Sequence, residues 1–120
     1  MGKILNSLVI SASGDTQVAL EKIMQNKIEG YSPKFTSAGF EGLSLDAPEP
    51  DIVFINNTPP LPQGELEKIT ALFAGHTQVL LDEDHDEDSR RAFMRAGVDE
   101  VMSLAELQSP LGRHLLEKLL

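Results

Sequence analysis

Three short apolar runs divide the chain and predict buried β-strands. They cover residues 8–10, 52–55 and 79–81, and each run ends in polar residues. Because the runs are continuous rather than alternating, they fit strands that are covered on both faces, as in a parallel sheet with helices on each side. Two less apolar segments, residues 34–37 and 99–102, complete a predicted set of five strands.

Apolar residues at helical spacing lie between these strands and predict the connecting helices. The predicted helices span residues 16–26, 65–74 and 87–96, and a last one opens at Ser109 and Pro110 as N-cap and first helical residue. Residues 41–47 leave room for only a stunted helix. The inward faces of the first three helices are expected to carry Ala19, Leu20, Ile23, Met24, Leu66, Ile69, Leu72, Phe73, Ala92, Phe93 and Ala96. The last helix carries the apolar residues Leu111, Leu115, Leu116 and Leu119.

The alternation of strands and helices predicts one α/β domain over residues 1–120. Right-handed crossovers favour a flavodoxin-like, doubly wound, five-stranded parallel sheet with strand order 2-1-3-4-5 and helices on both faces. Pro33 suits an edge strand, so residues 34–37 are expected at an edge. Ligands of such sheets bind beyond the carboxyl ends of the strands, so a site would use residues 11–16, 56–62, 82–85 and 103–104.

Composition and charge narrow the classes of partner. The formal charge of -9 would repel the phosphates of nucleic acids and of anionic membrane surfaces. The chain has no cysteine, which excludes disulfides, thiolate nucleophiles and Cys-ligated metals. No apolar stretch approaches the roughly eighteen residues that a membrane span requires, and the amino terminus lacks the pattern of a secretory signal. We therefore expect a cytoplasmic protein with no membrane insertion and no nucleic-acid partner.

Two segments resemble the response-regulator receiver (CheY-like) superfamily. In receivers, a proline-aspartate pair and four apolar residues precede the phospho-acceptor aspartate, and a proline follows four positions later. Here Pro50 and Asp51 lead through residues 52–55 to Asn56, and Pro60 follows. The sequence AGVDEVM of residues 96–102 is similar to the alanine-glycine-alanine-aspartate-aspartate signature of the family. The resemblance covers nearly the whole chain and implies the receiver fold.

The resemblance also implies that the residues needed for phosphorylation are replaced. Asn56 falls on the phospho-acceptor, and Ser11 and Ala12 fall on the acidic pair of the first strand. Asp82 falls on the hydroxyl position of the fourth strand, and Leu104 on the lysine of the fifth. Phosphoryl transfer to a carboxylate needs that carboxylate, a magnesium ion held by acids and a cation. The coordinated loss predicts an atypical receiver, or pseudo-receiver, without a phosphorylation site.

Pseudo-receivers usually act by docking or dimerisation, typically through the last strand and the helices on either side of it. We therefore expect a phosphorylation-independent signalling or regulatory module that binds a protein partner or a second copy, possessing no catalytic residue and no cofactor. The N-terminal receivers of ATPases that localise pilus assembly are similar, but no residue here specifies that subgroup. The apolar pattern that continues to Leu120 fits either a piece of a longer protein or a helix that packs on a partner. Core packing explains the leucines of the candidate interaction face equally well. That face comprises Val101, Leu104, Leu107 and Leu111.

Residues 11–16 also resemble the phosphate-binding loop of flavodoxins. Free backbone amides at a helix N-terminus attract phosphate, which leaves open a small FMN-binding electron carrier as an alternative. The flavin ring is normally flanked by aromatic side chains, whereas this chain has no Trp and one Tyr. An ordinary turn capped by Ser13 or Asp15 accounts for the segment without a ligand. The residues of the alternative phosphate loop are Ser11, Ser13, Gly14 and Thr16.

The acidic segment of residues 82–88 begins like a calcium-binding loop. Glu87 stands where that loop requires glycine, and Phe93 stands where it requires a bidentate carboxylate. A solvated acidic loop that leads into a helix N-terminus fits the pattern better. The three histidines are not paired with a nucleophile and an acid, so the sequence predicts no metal site and no catalytic residue.

Overall fold

A five-stranded parallel sheet organises the chain. The computed structural model describes residues 3–11, 15–24, 31–38, 50–57, 61, 64–83 and 86–119. The strands are β1 (Lys3–Ile10), β2 (Tyr31–Ala38), β3 (Ile52–Asn56), β4 (Thr77–Leu81) and β5 (Glu100–Met102). Their order is β2-β1-β3-β4-β5, and all neighbouring pairs are parallel. The predicted flavodoxin-like topology is confirmed, with β2 at an edge.

Helices cover the sheet on both faces. The described helices are α1 (Asp15–Met24), α2 (Glu65–Leu72), α3 (Glu87–Ala96), α4 (Leu104–Gln108) and α5 (Pro110–Leu119). Four of them match predicted helices, while the stunted helix expected at residues 41–47 lies outside the described residues. None of the helices in the described part of the chain is long and apolar enough to span a lipid bilayer.

Alternation along the strands creates two cores. Successive side chains of a strand point to opposite faces, so Phe54 packs on one face while its neighbours Val53 and Ile55 pack on the other. The first core lies beneath α1, α4 and α5, and includes Leu5, Val9, Leu20, Ile23, Met24, Ile52, Phe54, Val79, Leu81, Met102, Leu107 and Leu116. The second lies beneath α2 and α3, and includes Ile10, Val53, Ile55, Leu66, Ile69, Phe73, Leu80, Val98 and Val101.

Two apolar helix residues, Ala92 and Leu111, point outward. Ala92 is exposed because α3 contacts the sheet through Phe93 and Ala96 instead. Leu111 is 61% exposed, since the buried positions of α5 are Gly112 and Leu116, four residues apart. The prediction was therefore wrong for Ala92, whereas the exposure of Leu111 agrees with one of the two alternatives left open for it, a surface position rather than a core position.

Helix α4 lies where no helix was predicted. Its N-cap Ser103 accepts a hydrogen bond from the Glu106 amide at 3.0 Å, and the Glu106 carboxylate accepts one from the Ser103 amide at 3.2 Å. This reciprocal arrangement is a capping box, which stabilises the amino end of a helix. The last helix then starts as predicted, with Ser109 accepting a hydrogen bond from the Gly112 amide at 3.2 Å.

The close approach of Gly112 in α5 to the Glu106 carbonyl in α4 fixes the angle between these two helices. A Cβ atom at Gly112 would overlap the backbone carbonyl of Glu106. Only glycine allows this contact, so the two helices pack directly behind β5 and complete the first core.

Candidate functional site

The carboxyl ends of the central strands bring the predicted receiver positions together. Ile10 of β1 is in register with Ile55 of β3, so Ser11 and Asn56 lie side by side at the same edge. Asn56 is in turn in register with Leu81, the residue before Asp82. This edge is where parallel α/β sheets bind ligands, as expected from the sequence.

The Asn56 side chain joins a hydrogen-bonded group of neutral side chains. Its amide nitrogen Nδ2 donates to Ser11 Oγ at 3.1 Å and to Thr16 Oγ1 at 2.9 Å. The two hydroxyl oxygens are 3.2 Å apart and share a further hydrogen bond. Thr16 is buried in the first turn of α1, so the helix itself holds one corner of the network. We call Ser11, Thr16 and Asn56 the hydroxyl-amide network.

Asn57 anchors the loop that follows β3, and it lies within the segment of residues 56–62 that was expected to contribute to a site. The side chain is 6% exposed and donates from Nδ2 to Asp82 Oδ2 at 3.0 Å. Its Oδ1 accepts from the Leu61 amide at 2.9 Å, and its own amide donates to the Leu81 carbonyl at 2.8 Å. Asp82 therefore takes part in holding this loop. A second asparagine directly after a buried strand was the available signal, because asparagine side chains commonly bond nearby backbone.

Other predicted positions are placed differently. Ala12, Ser13 and Gly14 lie outside the described residues. Leu104, which was predicted to fall on the lysine position of receivers, begins α4 and packs against the first core. Asp51, the carboxylate nearest Asn56 in sequence, lies at the opposite end of β3, where its Oδ2 accepts from the Asn6 amide at 2.8 Å.

Within the described residues of the carboxyl edge, the hydroxyl-amide network offers magnesium no carboxylate oxygen. This cation prefers carboxylate oxygens, whereas Asn56 directs an amide nitrogen toward two hydroxyls that surround it. No group of three His, Asp or Glu side chains within the described ranges is arranged to hold a metal ion.

The acidic segment before α3 supports the helix. Asp86 is the N-cap of α3 and accepts from the Ser89 amide at 2.8 Å. This hydrogen bond, with a smaller contribution from the Ser89 hydroxyl, holds the pKa of the Asp86 carboxyl below its ordinary value of 3.8. The expected solvated acidic start of a helix therefore matches residues 86–88, while residues 84–85 are not described.

The four residues of the candidate interaction face do not share one surface. Val101 and Leu107 are each 2% exposed and belong to the two cores, so they are not accessible to a partner. Leu104 is partly buried, while Leu111 is exposed. Core packing thus explains the two buried positions, and this part of the candidate face was wrong.

Leu111 instead borders a groove between α3 and α5, which we call the α3-α5 groove. The groove has a volume of about 390 Å³ and lies over β5. Within it, Arg90 donates from Nε to Glu100 Oε1 at 2.9 Å, and the Val101 amide donates to the same oxygen at 3.1 Å. The hydrogen bond to Glu100 raises the pKa of Arg90 above its ordinary value. The lining residues are Asp86, Glu87, Arg90, Glu100, Val101, Glu106, Leu111 and Leu115.

Comparison with known proteins identifies the architecture. No protein-family model and no curated protein matches the chain. A solved pilus assembly-related protein from Burkholderia pseudomallei K96243 is 25% identical, with a TM-score of 0.67 over 96% of this chain and 88% of that one.

Two further solved structures share the fold at lower identity. A response regulator from Thermotoga maritima is 15% identical, with a TM-score of 0.65 over 98% of each chain. The CheY-like protein tadZ from Pseudomonas aeruginosa PAO1 is 18% identical, with a TM-score of 0.64 over 96% of this chain and 92% of that one. Together with the strand order and the geometry of the carboxyl edge, these likenesses show that the chain has the fold of CheY-like response-regulator receiver domains.

Proposed function

We propose that the chain is a receiver-like regulatory module that works without phosphorylation, by binding a protein partner or a second copy. The hydroxyl-amide network is the observation that carries this proposal. Asn56, which by sequence resemblance falls on the acceptor position of receivers, carries a neutral amide that donates to two hydroxyls at 3.1 and 2.9 Å.

Chemistry at this edge supports the proposal. An acyl phosphate forms on a carboxylate, and its formation is assisted by magnesium and by a nearby cation. Asn56 offers no carboxylate, and Leu104 offers no charge at the lysine position. The negative charge of Asp82 would also oppose a phosphoryl group beside it. We assign no catalytic role to this edge.

The comparisons suggest a setting for the module. One similar structure is a pilus assembly-related protein, and the others reported above are a response regulator and a CheY-like protein. We extend the proposal to a role in pilus assembly, in which the chain would act by binding another protein. These relatives do not favour the flavodoxin-like electron carrier.

Backbone amide NMR tests the proposal directly. The wild-type chain is mixed with magnesium and beryllofluoride, a mimic of the aspartyl phosphate, and separately with FMN. We expect no shift at Ser11, Thr16, Asn56 or Asn57 in either mixture, because the donor set fits neither ligand. Magnesium-dependent shifts that cluster at these four residues would contradict phosphorylation independence, and FMN-dependent shifts there would revive the electron carrier.

Asn56→Asp is the informative variant for this experiment. It restores the acceptor carboxylate alone, so we expect it to remain unresponsive to beryllofluoride with Ser11 still at the acidic position. Incubation with acetyl phosphate, followed by intact-mass measurement, should show no phosphoryl adduct on either protein. An adduct on the wild-type chain would refute the proposal.

A further inference from the structure

An open cavity lies at the amino ends of β4 and β5, at the opposite end of the strands from the hydroxyl-amide network. It has a volume of about 580 Å³, which is within the range of small-molecule sites. The strands β4 and β5 begin beside it, and the helices α2 and α3 end beside it. We call it the amino-edge cavity.

Gly97 allows α2 and α3 to converge on the amino-edge cavity. The residue has a φ of 125°, and a Cβ atom there would lie 2.8 Å from the Cβ of Thr70. Thr70 Oγ1 in turn donates to the Ala96 carbonyl at 2.7 Å, which joins the two helices. The carboxyl-terminal ends of both helices therefore border one cavity, and their dipoles add partial negative charge to its lining.

Gln78 brings an unused hydrogen-bond acceptor to the lining. Its side chain is 2% exposed, and its amide nitrogen Nε2 donates to the Thr70 and Phe73 carbonyls at 3.2 and 3.1 Å. These two bonds fix the orientation of the amide, because the reverse orientation would turn an oxygen toward two carbonyls. The other terminal atom, Oε1, is buried and has no hydrogen-bond partner within the described ranges. Since buried polar atoms are normally hydrogen-bonded, this acceptor favours a ligand that carries N–H or O–H donors.

Two carboxylates in the lining favour a cationic ligand. Glu67 of α2 and Asp99 before β5 are both exposed, whereas no lysine or arginine of the described residues lines the cavity. Neither carboxylate forms an ion pair within the described part of the chain, and the neighbouring Lys68 pairs with Glu65 instead. Asp99 Oδ2 accepts from the backbone amide of Gln78 at 2.7 Å, so this carboxylate is held beside the unused acceptor. A cation with N–H groups would satisfy both features.

We propose that the amino-edge cavity binds a small organic cation that carries a primary ammonium or guanidinium group. Its N–H groups donate to Gln78 Oε1 and to the carboxylates of Glu67 and Asp99, and its carbon chain lies against the alanines of the lining. Because Oε1 is buried, contact with it is restricted to a donor group small enough to enter the inner end of the cavity. This inference goes beyond the proposed function, since the cavity shares no residue with the hydroxyl-amide network or the α3-α5 groove.

Three probes of similar size separate charge from hydrogen bonding. Butylguanidinium carries a charge and N–H donors, butylurea carries the donors without the charge, and tetraethylammonium carries the charge without donors. In backbone amide NMR titrations, butylguanidinium should shift the amides of Thr70, Gln78, Gly97 and Asp99, with a dissociation constant of about 1 mM for so small a molecule. Butylurea and tetraethylammonium should each bind about tenfold more weakly, because each lacks one of the two features.

Matched variants separate binding in the cavity from general attraction to an acidic protein. Glu67→Gln and Asp99→Asn each remove one charge but keep an oxygen acceptor, and each should weaken butylguanidinium binding by about twofold to fivefold. Ala71→Leu adds bulk to the lining without changing the charge and should weaken binding as well. Glu65→Gln and Asp88→Asn, in the first turns of α2 and α3, remove a charge away from the cavity and should leave the affinity unchanged. Thermal unfolding checks that all five variants are folded.

Several results would overturn the inference. Absence of butylguanidinium shifts at the four amides would leave water as the partner of Gln78 Oε1. Equal binding of butylurea would remove the need for a charge, and equal binding of tetraethylammonium would remove the need for donors. Equal weakening by the cavity variants and their controls would mean attraction without a site. The response to magnesium and beryllofluoride is measured separately, so failure of this site would leave the proposed function unchanged.

Discussion

At the scale of single residues, the carboxyl edge is held by hydrogen bonds between neutral groups. Asn56 supplies the donors, and the hydroxyls of Ser11 and Thr16 accept them. Hydroxyl groups can also donate, so the network tolerates a carboxylate better than it tolerates the loss of the polar group. This asymmetry distinguishes two substitutions at one position.

We expect Asn56→Ala to lower the free energy of unfolding by about 1–2 kcal/mol, because it leaves two partly buried hydroxyls without their donor. Asn56→Asp should cost less, since both hydroxyls can turn and donate to the new carboxylate. Urea unfolding of the two variants at neutral pH measures the difference. Equal losses in the two variants would show that the hydrogen bonds of Asn56 do not stabilise this edge.

Several individual positions could be predicted from sequence, and others could not. Ser11, Asn56 and Asp82 were placed at the correct edge because each directly follows a recognisable apolar run. The burial of Val101 in the second core and of Leu107 in the first was not predictable. An apolar residue at helical or strand spacing has the same sequence pattern whether a core or a partner covers it.

At the scale of elements, helices α3, α4 and α5 begin with side-chain caps. Asp86 caps α3, and its carboxyl has a lowered pKa because the Ser89 amide donates to it. A lowered folded-state pKa means that the ionised carboxylate stabilises the fold above the unfolded pKa. This contribution is lost as the pH falls through the folded-state pKa, which lies below 3.8.

Asp86→Asn should therefore be less stable than the wild-type chain at neutral pH, although asparagine also caps helices well. The difference in urea midpoint should shrink as the pH falls below 3.8, where the wild-type carboxyl becomes protonated. Unfolding midpoints across a pH series measure this, with Asp88→Asn as the control in the same helical turn. A difference that persists unchanged into strong acid would exclude the charge of Asp86 as its cause.

Element boundaries show why some of the fold escaped the sequence pattern. β1 is eight residues long, but only its last three formed a continuous apolar run, since the buried Ser7 interrupts the pattern. α4 has five residues, too few to establish a period, yet Ser103 and Glu106 are spaced as a capping box. Attention to that spacing would have found the helix.

At the scale of the whole molecule, a buried ion pair ties α3 to β5. Glu100 is 7% exposed, and Arg90 reaches it from the preceding helix. A buried carboxylate without its cation is costly, whereas replacing both charges can be nearly neutral.

We expect Arg90→Met to lower the free energy of unfolding by about 1–3 kcal/mol, at the lower end of buried pairs because the arginine is partly exposed. Adding Glu100→Gln should recover part of this loss. A double-mutant cycle by urea unfolding measures the coupling, with Arg91→Met as a control for an exposed pair. Additive losses would show that the pair makes no net contribution.

The hydroxyl-amide network has a consequence for how such a module would be controlled. A receiver with an acceptor carboxylate has two chemical states, unphosphorylated and phosphorylated. By changing the phosphorylated fraction, a cell can change how much partner the receiver binds without changing the amount of the receiver. On the proposed function, an edge held by Asn56, Ser11 and Thr16 forms no acyl phosphate and so has a single chemical state. On the proposed function, the fraction of partner bound then follows mass action alone, so the output depends on the stoichiometry of the two proteins, and their expression and turnover set the signal.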